Sequence, residues 1–283
     1  MTVITVLESF EDADGNVVEY RGTKPQGKIR VAFSGSGNRL VVHPGASLEG
    51  LDVSFDCNNG TMRIGNNPRG RKITVTARIG EDSTIDLGDD LSTTGRLAMS
   101  VAEGGTIRLA AGVMVAAECQ IRADDAHPIF SIRTGKRVNP VKDIEIGEHV
   151  WLGMRSVVLG GARIERGSVI GLGSVVTGHV PNNCVAVGAP ARVVRRDIAW
   201  ERTHLTLKPP YYKPDAASLG DLSPYWDLTE APEAPARPRA CASACGASSP
   251  GADAPGARGH FPAGRDTSRR TRDDAARRTR EAE

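Results

Sequence analysis

The stretch that decides the fold runs from Ile146 to Val180 and reads IGEHVWLGMRSVVLGGARIERGSVIGLGSVVTGHV. Steps of six from its first residue meet a branched aliphatic side chain every time: Ile146, Leu152, Val158, Ile164, Ile170 and Val176. Four places after each of these stands a small or compact residue: Val150, Ser156, Ala162, Ser168, Ser174 and Val180. Neither a helix nor a flat strand has this period. It predicts a coil with three short faces and about 18 residues per turn, each face pointing one large side chain inward.

The same step of six continues upstream, so the repeat extends over most of the chain. Its aliphatic positions there are Leu109, Val115 and Ile121, then Ile79, Ile85, Leu91 and Leu97, and more faintly Val42 and Leu48. Val113 and Cys119 take the small position, and Cys184 follows the last clean repeat as another buried small residue. Glycine often follows the aliphatic residue, as in Leu152-Gly153, and is interpreted as supplying the backbone angles of the corner. The predicted fold class is therefore an all-β parallel β-helix, because a sandwich would show period-2 strands instead. The pattern resembles the left-handed β-helix of hexapeptide-repeat proteins.

Composition agrees with a turn-rich β-structure and excludes several functions. The chain has 283 residues, with 32 Gly, 17 Pro and only 4% aromatic residues. Its net charge of +2 is too balanced for nucleic-acid binding along the whole chain. No stretch reaches the roughly 20 apolar residues that cross a membrane, and the N-terminus lacks a secretory pattern. Five widely scattered cysteines indicate a reducing, cytoplasmic location, and no metal site is expected.

Changes in pattern suggest four parts. Residues 1–35 form an N-terminal segment, and residues 36–190 form the β-helix, with a loop at 123–144. Residues 191–230, which contain Trp200 and the PPYY stretch, are expected to cap the end of the solenoid. Residues 231–283 have Arg but no Lys and almost no branched aliphatic residues, which predicts a disordered tail.

The loop is the strongest functional signal outside the repeat. Ile121 and Ile146 are 25 residues apart, one more than a multiple of six, so the chain must leave the coil between them and return. Long excursions from a regular scaffold usually carry function. This one contains His127 beside two acids, and Trp151 follows as soon as the repeat resumes. Lys136 and Arg137 are either plain solvated charges or part of the recognition of an anionic substrate.

Three motifs together point to a family. The run DAHPIFSIRTGKRVNPVKDIEIGEHVWLG (125–153), followed by SVIGLGSVVT (168–177) and NNCVAVGAPARVV (182–194), resembles bacterial hexapeptide acyltransferases that O-acetylate saccharides. Within that group, the likeness is to capsular polysaccharide (sialic acid) O-acetyltransferases. The resemblance covers residues 119–204, and the repeat extends it to about residue 40. It implies a homotrimer with active sites at subunit interfaces and acetyl-CoA bound along the coils.

The resemblance also implies roles for particular residues. His127 would be the catalytic base, and Trp151 would line the acceptor and thiol entrance. The pantetheine arm would follow four coil residues and the nucleotide end three others: Gly153, Met154, Gly171 and Leu172, then Thr177, Arg192 and Arg195. Gly178 stands where the family often has lysine, and GAPAR replaces the usual exit GNPAK.

The chemistry of acyl transfer explains why these residue types are needed. A sugar hydroxyl is a weak nucleophile, so a base must take its proton as it attacks the thioester. Histidine is the side chain whose ordinary pKa lies nearest neutral pH. Asp125 could fix the imidazole tautomer, with Asp124 an equal candidate, and the Gly153 N–H could stabilise the oxyanion. No acyl-enzyme residue is required, so direct transfer from acetyl-CoA is expected.

Three other functions remain open from the sequence. The first is acetylation of an antibiotic, another xenobiotic or a secondary metabolite by the same fold. The second is a zinc enzyme of the γ-carbonic anhydrase type, which needs three histidines shared across an interface, whereas only His127 lies in a suitable place. The third is a solenoid scaffold without catalytic activity, for which flat rows of threonine would be expected.

Overall fold

Three parallel sheets form the faces of a left-handed β-helix of about seven turns. The computed structural model describes residues 1–24 and 26–230, so the predicted disordered tail at 231–283, which contains Cys241 and Cys245, lies outside the described residues. Sheet A comprises β1 (Thr2–Ile4), β4 (Lys28–Phe33), β6 (Leu48–Phe55), β8 (Ile73–Ile79), β11 (Arg96–Val101), β14 (Gln120–Arg122), β17 (Val157–Leu159) and β20 (Val175–Val176).

The other two sheets complete the prism. Sheet B comprises β2 (Phe10–Glu11), β3 (Val17–Glu19), β5 (Arg39–Val42), β7 (Thr61–Ile64), β9 (Thr84–Leu87), β12 (Thr106–Leu109), β15 (Ile144–Ile146), β18 (Arg163–Ile164) and β21 (His179–Val180). Sheet C comprises β10 (Ser92–Thr93), β13 (Met114–Val115), β16 (Trp151–Leu152), β19 (Val169–Ile170), β22 (Val185–Gly188) and β23 (Ala191–Arg195). A 3₁₀ turn spans Ala216–Leu219. No helix in the described part of the chain is long and apolar enough to cross a membrane.

From β9 onward each turn passes from sheet B to sheet C to sheet A, and the predicted aliphatic positions point inward. All six residues of the deciding stretch are buried: Ile146, Leu152, Val158, Ile164, Ile170 and Val176. Val157 pairs with Val175, so one turn there takes 18 residues, which confirms the predicted period. Burial of one branched side chain per face fills the axis of the prism and stabilises the stacked coils.

Upstream turns are longer than the sequence pattern implied. Ala98 pairs with Gln120, a step of 22 residues, because sheet A strands there have six to eight residues instead of two or three. The single strand β11 places three side chains inward: Leu97, Met99 and Val101. The step of six therefore identified core residues correctly upstream, but the turn length that it implied is wrong there.

The last turn is shorter than predicted. Val180 was assigned to the small position four places after Val176, yet it pairs with Ile164 and takes the large inward position of sheet B. Cys184 then occupies the small position and is fully buried. The coil therefore loses two residues at its final A–B corner.

Glycine after the aliphatic residue has a different purpose from the one expected. A Cβ at Gly153 would lie 2.6 Å from Ile170 O and 2.8 Å from Leu172 N, so the next coil leaves no room for a side chain. The left-handed backbone angles occur two residues later, at Arg155 (φ 59°) in this turn and at Gly167 (φ 70°) in another. Close approach between coils, and not corner conformation, is the reason for the glycine.

The domain boundaries remain predictions, although several contacts bear on them. β3 already pairs in parallel with β5, upstream of residue 36, where the sequence placed the start of the β-helix. Residues 196–230, here called the strap, run back along the B–C corner. Trp200 Nε1 donates to His149 O at 2.9 Å, and Asn183 Nδ2 donates to Tyr225 O at 2.7 Å. The strap thus lies beside several coils, and β23 pairs antiparallel with β22 at the end of sheet C.

Candidate active site

The predicted loop leaves the prism at the A–B corner and folds into a short hairpin. It departs after β14 and returns at β15, so that Ile107 pairs with a strand 37 residues further on. Phe130 and Arg137 form an antiparallel bridge, and Val138 N donates to Ile129 O at 2.8 Å. Arg137 also bonds Glu103 of the preceding turn, which fastens the hairpin along the corner.

His127 lies at the root of this hairpin and is exposed. Its backbone N–H donates to Asp125 O at 2.7 Å, and Ala126 between them adopts a φ of 61°. Asn139 Nδ2 donates to His127 O at 2.9 Å, so the backbone on both sides of the hairpin is joined there. Among the described residues no side chain forms a hydrogen bond with the imidazole ring, which leaves both ring nitrogens open to a substrate.

The two neighbouring acids are engaged elsewhere in this chain. Asp125 Oδ2 accepts from Asn139 Nδ2 at 2.8 Å. Asp124 is buried and accepts from Arg78 Nη2 at 2.7 Å, from Ser100 Oγ at 2.7 Å and from Ala126 N at 2.9 Å. Neither carboxylate touches the imidazole, so an orienting role for Asp125 stays a prediction. Asp124 fixes the point at which the loop departs.

Sequence reasoning missed Arg78, Ser100 and Asn139. Arg78 and Ser100 come from β8 and β11 and meet Asp124 only because the coils stack, so no local motif marks them. Asn139 lies directly before Pro140 at the far side of the loop, where a polar residue carries no signal of its own. These three residues are the main side-chain supports of the His127 segment.

Trp151 points outward from sheet C, as predicted, and is 37% exposed. Its ring lies 5.7 Å from that of Trp200 in the strap. The His127 loop leaves at the A–B corner, whereas Trp151 begins a strand of sheet C beside the B–C corner, so sheet B lies between them. One copy of the chain therefore does not bring the predicted base and the predicted entrance residue together.

His149 anchors the strap beside Trp151. Its imidazole stacks between Trp200 and Tyr225, with ring centroids 4.1 and 4.5 Å away. Its Nε2 donates to Trp200 O at 2.9 Å, which assigns the proton to that nitrogen. Burial lowers the pKa of His149, so the buried ring is held neutral.

The residues predicted for acyl-donor binding line the lower part of sheet C and its margins. The outward column of this sheet runs from Met114 through Trp151 and Val169 to Val185, and then to Arg195 on β23. Met154 and Leu172 flank it and are 37% and 69% exposed. The surface is thus apolar in the middle and cationic at its lower end.

Two further predictions concern the ends of that surface. Thr177 and Arg192 both line a cavity of about 220 Å³ beside β20 and β23, so the structure brings these two predicted residues together. Gly153 was expected to offer its N–H to an oxyanion, but that group donates to Ile170 O at 2.8 Å within the ladder. The same holds for Gly171, whose N–H donates to Ala186 O at 2.9 Å. The oxyanion role for Gly153 is therefore wrong.

Residues 1–24 and 26–230 contain no group of three or more His, Cys, Asp or Glu side chains placed to hold a metal ion. His179 pairs with Glu165 at 2.9 Å, and His43 Nδ1 accepts from Gly45 N at 3.0 Å. These histidines and His149 thus have structural partners, in contrast to His127.

The hexapeptide solenoid with a histidine-bearing hairpin is typical of a class of bacterial transferases. Comparison with known proteins supports the assignment of this chain to that class. The sequence model of the bacterial transferase hexapeptide (six repeats) matches residues 143–178. A polysialic acid O-acetyltransferase of Escherichia coli O1:K1 / APEC is 39% identical over 90 residues, 32% of this chain and 29% of that protein. Another of the same name, from Neisseria meningitidis, is 28% identical over 151 residues, 53% of this chain and 69% of that protein.

The crystal structure of the polySia-specific acetyltransferase NeuO is also similar, with a TM-score of 0.57 and 30% sequence identity. The superposition covers 67% of this chain and 90% of that one. The chain belongs to the hexapeptide-repeat acyltransferase family. Its match spans less than a third of the Escherichia coli relative, and about two thirds of the Neisseria meningitidis one.

Proposed function

We propose that the chain is an acetyl-CoA-dependent O-acetyltransferase that acts on a saccharide hydroxyl, with His127 as general base. The observation that carries the proposal is the fixed and open placement of His127. The backbone around it is tied by Asp124 and Asn139, while its ring faces solvent. A general base needs this combination, because it must be positioned accurately and still have a nitrogen free for the hydroxyl proton.

The reaction requires two proton transfers, one onto His127 and one away from it, and one exchange of bonds at the acetyl carbon. His127 takes the proton of the sugar hydroxyl while that oxygen attacks the thioester carbonyl carbon. The carbon–sulfur bond then breaks, and the departing thiolate receives the proton from His127, giving free CoA and the acetyl ester. No covalent acyl-enzyme is needed, because the base acts on the acceptor directly.

The acyl donor would lie on the lower half of sheet C. The exposed apolar surface around Trp151, Met154 and Leu172 suits the uncharged pantetheine arm. Arg192 and Arg195 at its lower end suit the phosphates, since a guanidinium offers a planar fork of donors. Among residues 1–24 and 26–230, Arg192 forms a side-chain hydrogen bond through Nη1, which donates to Ala191 O at 2.9 Å, and its other N–H groups form none.

The separation of His127 and Trp151 within one chain supports a homotrimeric enzyme. The hairpin exposes Ile129, Phe130, Ile132 and Val138, with Ile132 fully solvent-accessible. Exposed apolar groups of this kind favour contact with a second copy. A cyclic arrangement would carry the loop of one subunit to sheet C of its neighbour, so that each active site joins a base and an entrance from different copies.

CoA release from acetyl-CoA tests the activity, measured with a panel of oligosaccharides and small hydroxyl compounds. His127→Ala should lower acceptor-dependent release by on the order of 10²-fold or more. His204→Ala is the matched control, because this exposed histidine accepts from Thr206 N at 3.2 Å within the strap. Its activity should equal that of the wild type.

The acceptor panel separates the alternatives. Release with antibiotics or other small hydroxyl compounds, and not with oligosaccharides, would favour an enzyme that modifies small molecules. Absence of CoA binding would contradict transferase activity and favour a scaffold. Equal release by wild type and His127→Ala would contradict the assigned base.

A further inference from the structure

Three arginines surround one buried carboxylate beside the strap. Arg69 Nη1 and Arg71 Nη1 both bond Asp90 Oδ2. Arg202 Nη1 donates to Ser92 Oγ at 2.8 Å, and its Nη2 donates to Gly112 O. We call Arg69, Arg71 and Arg202 the arginine cluster. The three arginines carry three positive charges and Asp90 carries one negative charge, so the group has a net charge of +2.

The cluster retains unused binding capacity. The hydrogen bonds among the described residues use one nitrogen each of Arg69 and Arg71 and two of Arg202, although each guanidinium carries five N–H donors. The side chain of Arg69 is 68% exposed and that of Arg71 is 25% exposed, so a ligand can reach both. Burial lowers the pKa of Arg202 to about 10, and the nearby Arg71 and Arg69 add to the shift while Asp90 opposes it.

The cluster lies at the upper end of the column that contains Trp151. Ser92, Met114 and Trp151 occupy matching positions on three adjacent strands of sheet C. Because adjacent strands are about 4.8 Å apart, Ser92 is about 10 Å from Trp151 along the coil axis. Trp200 connects the two ends, since Arg202 lies 5.7 Å above its ring and Trp151 lies 5.7 Å from it.

The direction of the acyl donor decides what can reach this end. In the proposed function, the donor extends from Trp151 down toward Arg195, through Val169 and Val185. An acceptor must then approach Trp151 from the opposite side, since the lower half of the column is occupied. The opposite side is the one on which the arginine cluster lies.

We propose that the arginine cluster is the acceptor subsite for a carboxylate of an acidic saccharide, so that the enzyme selects anionic over neutral saccharides. The inference rests on the proposed function for the position of the donor. A carboxylate can accept parallel hydrogen bonds from a guanidinium fork, and a neutral sugar lacks this partner. Glu201, the acid beside Arg202 in the strap, does not cancel the surplus. It accepts from Trp226 Nε1 at 2.8 Å and from Ser223 N at 2.7 Å, and with it counted one positive charge remains.

The test uses an oligomer of sialic acid and the same oligomer with its carboxyl groups reduced to alcohols. Binding to the full chain is measured by calorimetry, and CoA release is measured in parallel with both compounds. The acidic oligomer should bind at least about 10-fold more tightly, as expected for charge-assisted hydrogen bonds. Arg69→Gln and Arg71→Gln should each weaken its binding about 5-fold, and higher salt should weaken it further.

Arg108→Gln is the matched control for the loss of one positive charge. Arg108 is on sheet B, and its side chain is 64% exposed, close to the value for Arg69. This variant should bind the acidic oligomer as the wild type does. The thermal midpoints of all variants should be measured too, because loss of Arg71 removes a partner of the buried Asp90.

The outcomes separate the two proposals. Equal binding of both oligomers, no binding of either, or equal losses in Arg69→Gln and Arg108→Gln would overturn the subsite. Arginine-dependent binding without any CoA release would uphold the subsite and contradict the proposed function. CoA release at equal rates with the acidic and the reduced oligomer would uphold the function and overturn the subsite.

Discussion

His149 and Trp200 hold each other through two hydrogen bonds that run in opposite directions. The indole Nε1 donates to His149 O at 2.9 Å, and His149 Nε2 donates to Trp200 O at 2.9 Å. The two rings are stacked 4.1 Å apart. The strap is thereby attached to the corner residue two places before Trp151, and Trp200 packs on the exposed indole of Trp151.

This pair predicts a pH-dependent stability. Burial lowers the pKa of His149 in the folded state, so the unfolded chain binds the proton more readily. The stabilisation from the neutral ring is complete above the unfolded pKa of about 6.5 and is lost as the pH falls through the folded value. The thermal midpoint of the wild type should therefore drop below about pH 6.5 more steeply than that of His149→Asn.

His204→Asn is the control for this measurement, since His204 is exposed and accepts from Thr206 N at 3.2 Å within the strap. Its midpoint should follow the wild type across the whole pH range. Parallel curves for the wild type and His149→Asn would show that the His149–Trp200 pair does not control the acid stability.

Loss of the Asp124 carboxylate should lower the free energy of unfolding much more than loss of an acid from a similar ion pair at the surface. Asp124→Asn removes the charge that meets Arg78 at 2.7 Å in a buried setting, and we expect a loss of about 1–3 kcal/mol in the free energy of unfolding. Asp52→Asn breaks the Arg30 pair at 2.9 Å, where both side chains are more than 40% exposed, and should cost less than about 1 kcal/mol. Denaturant unfolding of the two variants measures both effects.

The loss of stability in Asp124→Asn should be accompanied by a loss of activity. Because Asp124 also accepts from Ala126 N, its loss should displace the His127 segment and lower kcat for acetyl transfer, whereas Asp52→Asn should leave kcat unchanged. If the two variants lose equal stability and equal activity, the support of the loop by Asp124 is contradicted.

The sequence predicted what depends on local periodicity and missed what depends on contacts across turns. Ile146, Leu152 and Val158 could be assigned to the core because one side chain per face must fill the axis. Turn length could not be read from the same step, because it depends on strand length, as the longer β11 demonstrates. The period also gave no warning of the shortened corner before Val180.

The candidate site shows the same limit. His127 and Trp151 are conspicuous because each departs from the surrounding repeat. The contact of Arg202 with Gly112 joins residues 90 positions apart, and that of Arg78 with Asp124 joins residues 46 positions apart. Such pairs depend on how turns stack and how the strap returns, and neither is encoded in a short motif.

Gly153 and Gly178 should respond in opposite ways to alanine. At Gly153 a Cβ would meet backbone atoms of the next coil at 2.6 and 2.8 Å. A Cβ at Gly178 would have no atom within 4 Å in the described part of the chain, apart from its chain neighbours. We expect Gly153→Ala to destabilise the fold by about 1–3 kcal/mol through overpacking. Gly178→Ala should be neutral or stabilising by up to about 1 kcal/mol, because it restricts the unfolded chain. Equal thermal midpoints for the two variants would contradict the close approach of the coils.

Mixing two inactive variants tests whether an active site is shared between copies. His127→Ala lacks the proposed base but retains Trp151, and Trp151→Ala lacks the entrance residue but retains the base. In a cyclic trimer each interface takes its loop from one copy and its sheet C from another, so random assembly of equal amounts restores about one quarter of the interfaces. The mixed sample, unfolded and refolded together, should therefore regain about a quarter of the wild-type rate of CoA release. Each variant treated alone is the control and should stay inactive. Light scattering of the wild type should give the mass of three chains. A mixture that stays as inactive as its components, while scattering still reports three chains, would place His127 and Trp151 in the same copy and require a loop conformation different from the one described here.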